Sequence, residues 1–147
     1  MPIGRFTVRQ YCAIHRHLFQ DVYSWAGRFR TVRISKSGSM FCYPEHISAE
    51  MTKLFGTLRK EMYFEGLETP DFARRAAHFI AELNAIHPFR EGNGRTQLSF
   101  LALLAEHAGH KLDLDQMQPE VMLSAVIRSF EGDETPLSTL IIELAEC

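Results

Sequence analysis

The segment His87-Pro88-Phe89-Arg90-Glu91-Gly92-Asn93-Gly94-Arg95 gathers an imidazole, a carboxylate, a glycine-flanked amide and a guanidinium into nine residues. Imidazole titrates near pH 6.5, so His87 can take a proton from a hydroxyl near neutral pH and turn it into a nucleophile. If a helix starts at about Arg95, its first amides lack intrahelical partners and its dipole favours an anion there. Gly92 and Gly94 leave room for close approach, Asn93 can aim its amide at the same place, and Arg95 adds a fork suited to phosphate oxygens. Glu91 stands one residue before this cradle, where one carboxylate can hold Mg²⁺ whose other ligands are phosphate oxygens and water. A base, a metal carboxylate, an anion cradle and an arginine together describe phosphoryl or nucleotidyl transfer. The chain has no GxxxxGK[ST] run and no kinase loop signature, which excludes a P-loop enzyme and an ordinary protein kinase.

Each residue also has an architectural reading: His87 as a helix cap, Asn93 as an N-cap, the glycines as turn residues, and Glu91 with Arg95 as a surface pair. What favours chemistry is their conjunction between two core helices. Upstream, Phe72, Ala76, Phe79, Ile80 and Leu83 mark the inner face of a helix from about Pro70, with Thr69 as its N-cap. That helix must end near His87, because Pro88 disfavours the α conformation in the residue before it. Downstream, Arg95 to Ala108 is apolar on most sides, as expected of a helix buried inside a bundle, and Gly109 ends it.

Other elements surround this pair. Thr7 and Gln10 have capping-box spacing at the start of a helix expected from about Val8 to Tyr23, with Tyr11, Ile14, Leu18 and Val22 inward. Pro44-Glu45 opens a helix running to about Phe64, with Ile47, Met51, Leu54, Leu58 and Met62 as its apolar face. Further helices are expected from Pro119 to about Phe130 and from Thr135-Pro136 to Leu144. Between Phe29 and Tyr43, β-branched and aromatic residues flank Lys36-Ser37-Gly38-Ser39, the pattern of a β-hairpin, which carries Arg28, Arg30, Arg33 and Lys36 in its vicinity and should leave one edge free. The expected architecture is all-α: a single domain over residues 1–147, a bundle of about six helices with one β-hairpin.

Charge is unevenly distributed along the 147 residues. Residues 1–60 hold ten Lys/Arg against three Asp/Glu, a net of +7, whereas residues 61–147 hold six against fifteen, a net of −9. With no lysine-rich run and no aromatic interleaving, the basic half does not read as a nucleic-acid surface. Cys12, Cys42 and Cys147 are odd in number and lack CxxC spacing, which argues against a disulfide framework and a zinc site. No apolar run reaches the length of a membrane span, and the N-terminal residues lack the apolar core of a signal peptide. A cytoplasmic setting is expected, with a secreted-effector role left open.

Residues 87–95 match position by position the opening of HxFx(D/E)GNGRxxR, so the chain resembles the Fic (filamentation induced by cAMP) family. The likeness extends from about Val8 to Leu144, including Trp25-Ala26-Gly27 and a basic hairpin in the position of the family's flap. The resemblance implies the all-α Fic fold and transfer of AMP from ATP to a Ser, Thr or Tyr hydroxyl of a target protein. It implies His87 as base, Glu91 as Mg²⁺ ligand, Gly92, Asn93 and Gly94 as anion hole, Arg95 on the distal phosphates and Phe89 as loop anchor. The flap, through Arg33, Ile34, Ser35, Lys36, Met40 and Phe41, would hold the target by strand addition.

Two departures qualify that expectation. The family's second arginine is Leu98 here, which leaves a weakened catalyst, a nucleotide-binding module or an altered phosphate donor as alternatives. No Glu-Gly pair carries the upstream Ser or Thr of the family's inhibitory segment: four residues before Glu65, Glu91 and Glu131 respectively lie Glu61, His87 and Ile127. A separate small antitoxin supplying that glutamate, as in toxin and antitoxin pairs, is one explanation. Gly94 stands where the Doc-type kinases of the family have lysine, which favours AMP transfer over phosphate transfer.

Overall fold

The computed structural model describes residues 5–36 and 39–146. Among them are six α-helices: α1 (Val8–Phe19), α2 (Ile47–Lys60), α3 (Thr69–Ile86), α4 (Asn93–Ala108), α5 (Pro119–Phe130) and α6 (Thr135–Glu146). Helix α3 is the hub, packing against α2, α4, α5 and α6, while α1 lies on α4. Its Ala73, Ala76 and Ala77 are fully buried, and such small side chains let neighbouring helices approach closely. Phe100 of α4 centres an aromatic cluster, edge-on to Phe6 and Tyr11 and in ring contact with Phe55 and Phe79. This cluster fixes α4 against α1, α2 and α3.

The helix starts follow local chemistry. The Thr7 hydroxyl accepts from the Gln10 amide (3.1 Å), and Gln10 Oε1 accepts from the Phe6 amide (2.6 Å), one residue upstream of the usual capping-box partner. At α3 the N-cap is Glu68 rather than Thr69, with Pro70 in the first turn. The far end of α4 is tied to the segment preceding α3, since His107 pairs with Glu65 and His110 bonds the Leu67 carbonyl (2.7 Å). Those two histidines thus serve as packing ties, and no cluster of three metal-ligating side chains occurs among the described residues.

Three expectations need correcting. Helix α1 stops at Phe19, and Val22, expected inward, is 68% exposed in the turns that follow. Helix α2 ends at Lys60; Met62, Tyr63 and Phe64 all adopt positive φ, so Phe64 is buried while Met62 is turned out to solvent. The hairpin expected over Phe29 to Tyr43 has regular pairing only between β1 (Ser35–Lys36) and β2 (Ser39–Met40), Ser35 opposite Met40 and Lys36 opposite Ser39. A ladder that short is not stable alone. Its flanks are held by bonds to the end of α3 and the loop after it: the Cys42 amide donates to the Ala85 carbonyl (3.1 Å) and the Arg30 amide to that of Pro88 (2.9 Å). Ser37 and Gly38 lie outside the described residues.

Phe100→Ala should lower the free energy of unfolding by about 3–5 kcal/mol, the cost of emptying an aromatic site in a close-packed core. Ile127→Ala, on the exposed face of α5, should change it by no more than about 0.5 kcal/mol. Urea unfolding curves for the two variants check this difference.

Candidate active site

The candidate residues lie where α3 ends and α4 begins. His87 caps α3 in the left-handed region (φ 49°, ψ 64°), its amide still bonding back to Leu83 (2.9 Å), and Pro88 then forbids another helical turn. The His87 side chain is 6% exposed and its ring lies 4.0 Å from that of Phe41, nearly parallel at 8°. Phe41, expected to face a target protein, is instead buried between His87 and the Phe130 ring. It backs the histidine.

The five residues from Pro88 to Gly92 are pulled into a tight loop. Phe89 is fully buried, stacked on His15 (3.8 Å) and Tyr11 (5.8 Å). Asn93 closes the loop on itself: its Oδ1 accepts from the Phe89 amide (3.0 Å) and its Nδ2 donates to the Phe89 carbonyl (2.7 Å). With both polar atoms so engaged, the Asn93 side chain is not aimed at a ligand, contrary to expectation. What it leaves for an anion is its backbone amide in the first turn of α4.

The two glycines differ physically. Gly92 sits at φ 83°, and a Cβ there would come within 2.4 Å of the Phe19 ring, so both conformation and packing demand glycine. Gly94 has ordinary helical geometry, and a Cβ would meet no protein atom within 4 Å. The space above Gly94 is therefore open to solvent at the N-terminus of α4, where a negative charge is favoured. Arg95 is exposed beside it, its guanidinium 5.3 Å from the Phe19 ring centre. Glu91 is exposed immediately before the cradle. One exposed carboxylate beside the open N-terminus of α4 fits an ion that arrives with its nucleotide, not a resident metal cage.

Leu98 lies one turn further along α4, half-buried against the core, and brings no charge to the cradle. Of the residues expected to meet a target, Arg33, Ser35 and Met40 are exposed and Ile34 is half-buried. Arg33 lies over the Tyr43 ring (4.6 Å).

Two structurally central residues escaped the sequence reading. His15 is fully buried under the loop: its Nδ1 accepts from the Gly27 amide (2.9 Å), so Nε2 carries the hydrogen and donates to the Glu91 carbonyl (2.9 Å). Burial lowers its pKa from the ordinary 6.5, and the bond to Glu91 partly opposes this. The signal available was its spacing: Tyr11, His15 and Phe19 recur at four-residue steps on one face. Arg30 is the other. It is 3% exposed, and its guanidinium donates to the carbonyls of His87 (2.7 Å), Ile86 (3.1 Å), Val32 (2.7 Å) and Cys42 (2.6 Å).

A mainly helical scaffold with a histidine at one helix C-terminus and two glycines at the next N-terminus defines a class. The chain belongs to the Fic/DOC family, whose model matches residues 5–105. A probable protein adenylyltransferase of Sinorhizobium fredii is 49% identical over 139 residues, covering 94% of this chain and 72% of that protein. The protein adenylyltransferase VbhT of Bartonella schoenbuchensis is 40% identical over 94% of this chain, which spans 29% of VbhT. Among solved structures, the BepC effector of Bartonella tribocorum with bound AMPPNP superposes with a TM-score of 0.86 at 27% identity, covering 97% of this chain and 76% of BepC.

Two outcomes follow from this geometry. Gly92→Ala should lose roughly 1–3 kcal/mol of stability through backbone strain and the clash with Phe19, whereas Gly94→Ala should be neutral or slightly stabilising in thermal melts. For His15, the folded-state pKa lies below the unfolded one, so below pH 6.5 the unfolded chain binds more protons. The His15 contribution is therefore complete above that pH and declines as pH falls towards the folded pKa. The drop in urea midpoint between pH 7.5 and 5.5 should be smaller in His15→Gln; equal drops would assign it to other groups.

Proposed function

We propose that this chain is a protein adenylyltransferase, transferring AMP from ATP to a Ser, Thr or Tyr hydroxyl of a target protein with release of pyrophosphate. The observation that carries the reading is the pairing of His87 with the open α4 N-terminus across a loop closed by Asn93 and Phe89. Family membership and the names of its relatives support the same activity.

His87 takes the proton of the acceptor hydroxyl, whose oxygen forms a bond to the α-phosphorus as the bond from that phosphorus to the leaving pyrophosphate breaks. The first amides of α4, with Gly92 and Gly94 beside them, stabilise charge on the phosphate oxygens, and Arg95 holds the distal phosphates. Glu91 would hold a Mg²⁺ brought in with ATP, and the ion would offset charge on the phosphate oxygens. Phe89 and the Asn93 side chain hold the loop, and Phe41 keeps the His87 ring in one orientation. The short hairpin acts as the flap: Ile34, Ser35, Lys36 and Met40 offer backbone to an extended target segment, with Arg33 beside them. Residues 1–147 work in this as one domain.

Leu98 favours a second reading, in which the nucleotide is held less firmly at its far end and turnover is slow or the donor differs. An inhibitory glutamate, absent from the chain's Glu-Gly pairs, would then come from a separate small partner protein in a toxin and antitoxin arrangement. Gly94, with open space where a longer side chain would stand, favours AMP over γ-phosphate transfer.

ATP labelled at the α- or the γ-phosphate, incubated with the protein, Mg²⁺ and cell lysate, separates these. Label should enter protein from the α position only and disappear in His87→Ala; label from γ alone would make the chain a kinase. Leu98→Arg should tighten ATP binding and raise the transfer rate, and an unchanged rate and affinity would remove Leu98 from the account.

A further inference from the structure

We propose that Arg30 is a positioning residue that joins the flap and the His87 turn into one unit, so that the base is aligned only while the flap is seated. The inference rests on His87 as base and adds what holds it. Among the described residues the Arg30 guanidinium makes no ion pair; its hydrogen-bond partners there are backbone carbonyls, and they fall into two groups. Ile86 and His87 are the last residue and the cap of α3, whose terminal carbonyls have no intrahelical donors and favour a cation. Val32 and Cys42 flank the short β1–β2 ladder on its two sides.

The backbone repeats this linkage. The Arg30 amide reaches Pro88 and the Cys42 amide reaches Ala85, so both flap ends are fixed to the same helix terminus. Between them, Phe41 carries the linkage to the reacting group, since its amide bonds the Ile34 carbonyl (3.2 Å) within the flap while its ring stacks on His87. A displaced flap therefore takes with it the ring against which His87 rests. Among the described residues none of the Arg30 hydrogen bonds reaches Gly92, Asn93, Gly94 or Arg95, so its direct hold is on the His87 half of the site. A lysine cannot replace it: one ammonium with three donors at a point cannot span four carbonyls that a planar fork reaches together.

The test uses the full chain as Arg30→Lys. The ring protons of His87 should show in NMR the displacement caused by the stacked Phe41 ring, and Arg30→Lys should lose that displacement. ATP affinity should be retained in the variant, while AMP transfer to lysate proteins falls by roughly 100-fold, the scale of a misplaced catalytic group. In Arg30→Ala, added guanidinium ion should restore both the ring shift and the rate, and ammonium should not. An Arg30→Lys protein with the parental ring shift and rate would overturn the proposal. If neither variant folds, hydrogen exchange of the unsubstituted chain decides. The Arg30 and Cys42 amides should then exchange as slowly as that of His87; exchange of both much faster than that of His87 would overturn it. Were the parent to transfer no AMP at all, the adenylylation reading would fall, while the ring shift would still decide the role of Arg30.

Discussion

The site depends on how α3 is stopped. Pro88 prevents the helix from continuing, so its last carbonyls must find donors outside it, and in a buried setting each one left unsatisfied costs about 1–3 kcal/mol. One guanidinium serves two of them, at Ile86 and His87, and carries a charge that suits the negative end of the helix. The cost is a cation that is 3% exposed. It is tolerable because every contact made by the group is a charge-assisted bond to a carbonyl, which is stronger than its neutral equivalent. The left-handed cap at His87 then directs the chain into the loop instead of away from the bundle.

The loop itself is stabilised from below by different means. His15 bonds the Glu91 carbonyl and stacks on Phe89, and Asn93 reaches back to both backbone groups of Phe89. These contacts are local to α1 and α4 and involve no flap residue. His87 and the proposed anion cradle are neighbours in sequence, and the loop between them is also tied to the flap side by the Arg30 amide on the Pro88 carbonyl and by the Phe29 ring against Phe89 (6.0 Å).

What could be read from the sequence were the features encoded within a few residues. Pro88 places the end of α3 near Ile86, Gly109 the end of α4 and Pro119 the start of α5, although α4 begins at Asn93, two residues before the Arg95 expected, and the nine-residue motif gives the family. The flap resisted for a physical reason. Val32, Ile34 and Phe41 have the composition of strands, yet regular pairing covers only two residues on each side, and four bonds, from Arg30 and Cys42, tie the stretch to Ala85, Ile86, His87 and Pro88. Phe41 accordingly faces inward, against His87, where an alternating strand pattern would have allowed either face. His15 and Arg30 were illegible for a related reason, since their partners at Glu91 and His87 lie 76 and 57 residues away. Arg30 in particular looked like one more charge in a basic stretch. Nothing in its neighbours distinguishes it from Arg28 or Arg33, both exposed.

That distinction alters how the basic character of the N-terminal half should be understood. The charges near the flap do not form one patch facing a partner: Arg30 is internal and neutralised by peptide dipoles, and Arg33 covers Tyr43. The flap's attraction for an acidic segment is accordingly weaker than the count of arginines suggests. On the proposed reading, recognition through the flap's backbone edge gains weight relative to charge, because main-chain pairing accepts many sequences and leaves discrimination to the few side chains nearby. A tolerant flap next to a firmly held base would place the burden of selectivity on whether an acceptor hydroxyl can reach His87 at all.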